Sequence, residues 1–140
     1  MKCREIMTGN PICCLPDETV AQAARLMRRE HISSLPIISD ERSRTLIGIL
    51  TNRDLVAKVL GESRGPDQTA ISEVMTRTIV ACRGDDEMES AIAAMHEYGV
   101  RHLPIIDRES RILGIISDSD TRVPQLLQRI RMLTEVFQAA

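Results

Sequence analysis

An internal duplication runs through the 140-residue chain and narrows the folds open to it, because self-similarity at a fixed period marks one supersecondary unit used again. With Met7-Thr8 placed over Met75-Thr76, Cys14 falls on Cys82, Asp17 on Asp85, Ala23 on Ala91 and Met27 on Met95 without a gap. Leu35-Pro36-Ile37-Ile38 then covers Leu103-Pro104-Ile105-Ile106. Ten positions separate Ile38 from Gly48 and eight separate Ile106 from Gly114. A two-residue contraction therefore brings Gly48-Ile49 onto Gly114-Ile115 and Asp54 onto Asp120. A polar stretch that changes length between apolar signals in register behaves as a surface hairpin loop.

Each copy reads alike. Short apolar runs, Ile12 to Leu15 and Ile79 to Cys82, predict a strand. Thr19 offers an N-cap, with Gln22 completing a capping box. Val20, Ala23, Ala24 and Met27 then form the apolar stripe of a helix, repeated by Met88, Ala91, Ile92 and Met95. Leu35 to Ile38 and Leu46 to Leu50, joined by the polar Asp40 to Arg44, predict an antiparallel hairpin. A second helix opens near Thr51 and carries Leu55, Val56, Val59 and Leu60. The expected fold is α/β (α+β): two tandem βαββα repeats, residues 1–62 and 70–127, packed about a pseudo-twofold. Residues 63–69 are the expected linker, turn-rich from Gly61 to Asp67. Residues 128–140 are the expected helical extension, part of a stretch that places Leu126, Ile130, Leu133 and Phe137 on one face. That face fits either a fold-back on its own chain or a contact in a homodimer.

Composition closes off several function classes. Hydrophobic residues make up 43% and charged residues 27%, as in a soluble globular protein. Aromatics are 1%, Tyr98 and Phe137, and net charge is −2. A nucleic acid would find neither stacking platforms nor a basic field. No stretch approaches a membrane span and MKCREIMTG has no apolar signal core, so a cytoplasmic location is expected, without membrane contact. Cys3, Cys13, Cys14 and Cys82 form no C-x-x-C, and His31, His96 and His102 show no ligand spacing, so no metal site is expected. The three cysteines in apolar runs, Cys13, Cys14 and Cys82, read as small hydrophobes, with a thiol or metal sensor as the alternative. No nucleophile–base pattern, P-loop or zinc motif suggests an enzyme, and no catalytic residue or catalytic cofactor is expected.

The ordered, duplicated signals x-M-T, h-P-h-h and G-h-h-[ST]-x-x-D, from Cys3 to about Leu127, resemble the cystathionine-beta-synthase (CBS) domain family; the tandem pair resembles a Bateman module. The resemblance implies a regulatory module that binds AMP, ADP or ATP, or else NAD or S-adenosylmethionine, and acts on a partner protein. In Gly48-Ile49-Leu50-Thr51-Asn52-Arg53-Asp54 and Gly114-Ile115-Ile116-Ser117-Asp118-Ser119-Asp120, the aspartate can accept ribose hydroxyls and the hydroxyl residue can bond a ribose or phosphate oxygen. The same Thr51-x-x-Asp54 and Ser117-x-x-Asp120 patterns also serve as helix caps. By resemblance, Asp120, Ser117 and Ser119 with the basic pair Arg101-His102 work with Thr8, Ile12, Ile32 and Ser33 as the fuller phosphate site. Asp54, Thr51 and Arg53 work with Thr76, Val80 and Val100 as the second. Ser33-Ser34 stands where the second copy has Arg101-His102, so the two sites should differ. A scaffold of the same fold without ligand is the competing function.

Overall fold

The computed structural model describes residues 1–139; for Val123, Gln125 and 134–139 it describes the backbone alone. The elements are α1 (Cys3–Ile6), β1 (Thr8–Gly9), α2 (Val20–Glu30), β2 (Ser34–Ile38), β3 (Leu46–Thr51), α3 (Asn52–Asp54, running on as a π-helix over Leu55–Leu60), a 3-10 turn (Ile71–Glu73), β4 (Cys82–Arg83), α4 (Met88–Tyr98), β5 (His102–Ile106), β6 (Ile112–Ser117) and α5 (Asp118–Ala139). The Thr19 hydroxyl accepts from the Gln22 amide and the Gln22 side chain accepts from the Thr19 amide, so the capping box that opens α2 is formed. The α4 stripe buries Met88, Ala91 and Met95.

Both hairpins pair as their apolar runs require, β2 against β3 from Ser34↔Thr51 and β5 against β6 from His102↔Ser117. The second copy's sheet has the order β1-β6-β5-β4, with β4 parallel to β5. The first repeats this plan with its margins reduced to single pairs, Cys14↔Ile37 in parallel and Ile49↔Thr76 in antiparallel. In each sheet the strand beside the hairpin's outer edge comes from the other copy: Thr8 and Gly9 pair with Ile115 and Gly114, and Thr76 pairs with Ile49.

That exchange corrects the strands expected at Ile12 to Leu15 and Ile79 to Cys82. The chain leaves one sheet at Gly9 or Thr76 and joins the other at Cys14 or Cys82, so the intervening residues cross between sheets and cannot hold a ladder. Cys13, Leu15 and Ile79 pack instead on the seam, around buried Ile38, Leu46 and Ile112. The hairpins are stitched there by Leu46 N–H to Ser110 C=O and Ile112 N–H to Arg44 C=O. The two larger cores are exchanged likewise. Ile71, Val74 and Met75 fill the core of the first copy, while Cys3, Ile6 and Met7 fill that of the second.

The apolar helical face read from Gln125 onward belongs to a helix that already starts at Asp118, because Ser117 ends β6 and its Asp120 partner caps the next turn. Leu126 and Leu133 are more than half exposed, so the fold-back does not cover them; the Phe137 side chain lies outside the described residues. Among the described residues no helix is long and apolar enough to cross a membrane.

Candidate functional site

A cavity of about 560 Å³ opens between the copies, within the range of small-molecule sites. One wall is Ile49, Thr51, Asn52 and Arg53 at the end of β3 and start of α3; another is the crossing segment, Thr76, Thr78 and Val80; the third is Gly99 to His102 with Pro104 and Ile115. Ser33 and Ser34 complete it beside Thr51, where Asn52 N–H donates to Ser33 C=O. Thr76 is fastened to β3 and Cys82 to β5, so residues 76–82 necessarily bridge the hairpins and roof the space between them.

Residues of both groups drawn from the sequence line this cavity. Ser33, Arg101 and His102, assigned with Asp120, line the cavity together with Thr51, Arg53, Thr76, Val80 and Val100 of the other group. The bridging segment brings the start of β5 to the Thr51 side, and this accounts for the mixing. Thr8, Ile12, Ile32, Ser117, Ser119 and Asp120 lie outside its walls, and so does Asp54, which is buried behind Thr51 and Thr76. Ile32 packs against the first core. Thr78, Asn52, Ser34 and Gly99 were missed; the alternation Thr76-x-Thr78-x-Val80, one face of an extended segment, was the legible signal.

The aspartates differ in their surroundings. Asp54 Oδ2 accepts from the Thr51 amide at 2.9 Å and hydroxyl at 3.1 Å; Oδ1 accepts from Thr76 Oγ1 at 3.0 Å and Lys58 Nζ at 2.9 Å. Burial opposes ionisation of Asp54, but the Lys58, Thr51 and Thr76 bonds outweigh it and hold the carboxyl below the ordinary aspartate value. Asp120 Oδ2 accepts from the Ser117 amide at 2.7 Å and hydroxyl at 2.9 Å. Both aspartates are therefore helix caps, the reading the short pattern alone allowed.

Arg101 and His102, the basic pair of the second copy, both line the cavity. Burial pushes the His102 imidazole below its ordinary value; Asp120 opposes this and Arg101 adds to it. The cations at the cavity are Arg53 and Arg101, with His102 able to gain a proton when an anion arrives. The glycines before each Thr/Ser-x-x-Asp serve the other copy. A Cβ on Gly48 would stand 2.6 Å from Met75 Sδ, and one on Gly114 would stand 2.6 Å from Met7 Sδ and 2.7 Å from the Thr8 carbonyl oxygen. No group of three or more His, Cys, Asp and Glu side chains converges as a metal site among the described residues. Burial raises the Cys3 and Cys14 thiols to about 11 and about 12, and raises Cys13 and Cys82 as well, opposite to what a reactive thiol requires.

A family model for the CBS domain matches the chain twice, over residues 3–61 and 71–122. The chain is 32% identical to uncharacterized protein MK0525 of Methanopyrus kandleri over 84% of its length, and 36% identical to inosine-5′-monophosphate dehydrogenase of Methanocaldococcus jannaschii over 85%. It spans 56% of the former relative and 22% of the latter. Among solved structures, Hypoxic Response Protein I with two coordinated zinc ions superposes with a TM-score of 0.78 and 30% identity, covering 87% of this chain and 97% of that one. The CBS domain pair of protein MJ0100, in complex with 5′-methylthioadenosine and S-adenosyl-L-methionine, superposes with a TM-score of 0.76 and 26% identity, covering 91% and 96%.

Proposed function

Since the chain belongs to the CBS domain family and carries its unit twice, we propose that it is a non-catalytic sensor that binds an adenine nucleoside or nucleotide between the copies and signals occupancy to a partner protein. The observation that carries this is the composition of the cavity, with walls drawn from both copies. Ile49, Val80, Val100 and Ile115 offer apolar surface to a base; Ser33, Ser34, Thr51, Thr76 and Thr78 offer hydroxyls; Arg53 and Arg101 offer cations to phosphate. A methylthioadenosine and S-adenosylmethionine complex of the similar MJ0100 pair supports an adenosine-type ligand. A ligand touching both copies favours whichever arrangement of them it fits best, and differential affinity of that kind is what a partner reads. Exposed Leu126 and Leu133 on α5 and Val56 and Leu60 on α3 would pair two chains as a homodimer.

Calorimetric titration of nucleotide-free protein with AMP, ADP, ATP, NAD and S-adenosylmethionine tests the reading. One ligand should give a saturable heat, weakened about tenfold or more by Arg101→Ala, the loss of a charge-assisted bond. The melting temperature should rise with that ligand's concentration. No heat from any of the five overturns it.

A further inference from the structure

We infer that a second cavity, between the end of α4 and the start of α5, is a small-anion site that competes with the nucleotide for Arg101. It holds about 290 Å³, at the lower edge of small-molecule sites. Ile92 and Met95 give it apolar surface; His96, Arg101, Asp118 and Thr121 give it polar groups. Gly99, Val100 and Arg101 line both this cleft and the larger cavity, so the strip they form is the partition between the two.

The free donors say what the cleft takes. Asp118 Oδ2 accepts from Arg122 Nη2 at 2.9 Å, and the buried Thr121 hydroxyl donates to the Asp118 carbonyl at 2.9 Å. Among the described residues neither the Arg101 nor the His96 side chain takes part in a hydrogen bond or an ion pair. What is left to meet a ligand is a guanidinium beside an imidazole, and a guanidinium forks onto a carboxylate or a phosphate alike. The first copy fills the equivalent place differently. In the register of the duplication Thr121 falls on Leu55, Arg101 on Ser33 and Asp118 on Asn52. Leu55 packs against the first core, so an apolar side chain stands where the second copy has a hydroxyl and open volume. An arginine on a partition serves one side at a time. Phosphate in the larger cavity draws Arg101 from the cleft, an anion in the cleft draws it back, and each ligand weakens the other. This coupling, unlike the cleft itself, rests on the nucleotide reading.

The three histidines supply reporters: His96 at the cleft, His102 at the larger cavity, and His31, at the first copy's equivalent of Gly99, as reference. Their ring NMR signals are followed in nucleotide-free protein titrated with inorganic phosphate and, separately, with acetate, at fixed pH and ionic strength. His96 should shift and saturate while His31 stays still, and the two arms separate a phosphate site from a carboxylate site. Thr121→Leu, which restores the first copy's side chain, should abolish that shift. In calorimetry the saturating anion should weaken AMP binding about fivefold or more beyond its effect on Thr121→Leu, where only direct competition in the larger cavity remains. His96→Gln, at an exposed position, should lose the same excess and serves if Thr121→Leu does not fold. No saturable His96 shift with either anion, or a shift that survives Thr121→Leu, overturns the site. Equal weakening of AMP binding in the wild type and the variants overturns the coupling. Absence of AMP binding throughout, with the His96 shift intact, overturns the sensor reading and the coupling and leaves the anion site standing.

Discussion

The two copies share a frame and differ in finish. Each lays a hairpin beside a strand borrowed from the other, but the second has a four-stranded sheet where the first closes its margins with single pairs. Each places an aspartate behind the last strand of its hairpin; Asp54 is sealed by four donors and Asp120 accepts two. Each helix before the hairpin ends in a left-handed residue, His31 at φ 55° in one and Gly99 at φ 64° in the other. Apolar positions hold the duplication in place, and the polar groups at equivalent positions are free to take on separate tasks.

The largest break in that comparison comes from the aspartates. Asp54→Ala should cost about 3 kcal/mol in urea unfolding, because it strands Lys58, Thr51 and Thr76 without an acceptor. Asp120→Ala, the loss of a helix cap, should cost about 1 kcal/mol. The glycines come next. Gly114→Ala meets the Thr8 backbone as well as Met7 and should cost about 2 kcal/mol; Gly48→Ala meets only the flexible Met75 side chain and should cost about 1 kcal/mol or less. At the helix ends, His31→Gly should stabilise by about 0.5–1 kcal/mol and Gly99→Ala should destabilise by about 1 kcal/mol, read from the same unfolding curves.

The smallest effects are those of pH. The Asp54 carboxyl lies below its ordinary value of 3.8, so the stability it contributes is present above that value and lost as pH falls through the folded value. Asp54→Asn should remove that part of the acid limb from the pH dependence of the urea midpoint. Burial holds the His102 imidazole below its ordinary value, against Asp120 and with Arg101, and an anionic ligand favours its charged form. Binding of a phosphate ligand should therefore strengthen only about twofold as pH falls from 8 to 6, well inside the one-proton limit. His102→Gln should flatten that slope.

The frame was legible because apolar spacing reports directly on burial: Val20, Ala23 and Met27 form the buried stripe, and Leu35 and Ile37 are fully buried in the hairpin. The exchange of strands was not legible. Cys3, Met7, Val74 and Met75 look like ends of their own copies, and nothing local says that their apolar surface is completed across the seam. The same crossing mixed the two groups of site residues, since the path of residues 76–82 decides which walls meet. Lys58 stood four residues after Asp54, a spacing at which a helical ion pair is readable, but its bond to Val74 depends on the tertiary path.

The borrowed turns also bear on what cutting the chain would do. A protease nick between Gly61 and Asp67 would sever the covalent link and leave two fragments, each holding part of the other's core. Such fragments should stay together without a peptide bond and co-elute on a sizing column, which would make this segment a place to split the protein into complementing halves. One copy made alone would reach its full core only by taking the missing turn from another molecule of itself, a domain-swapped pair in which the intermolecular seam repeats the intramolecular one.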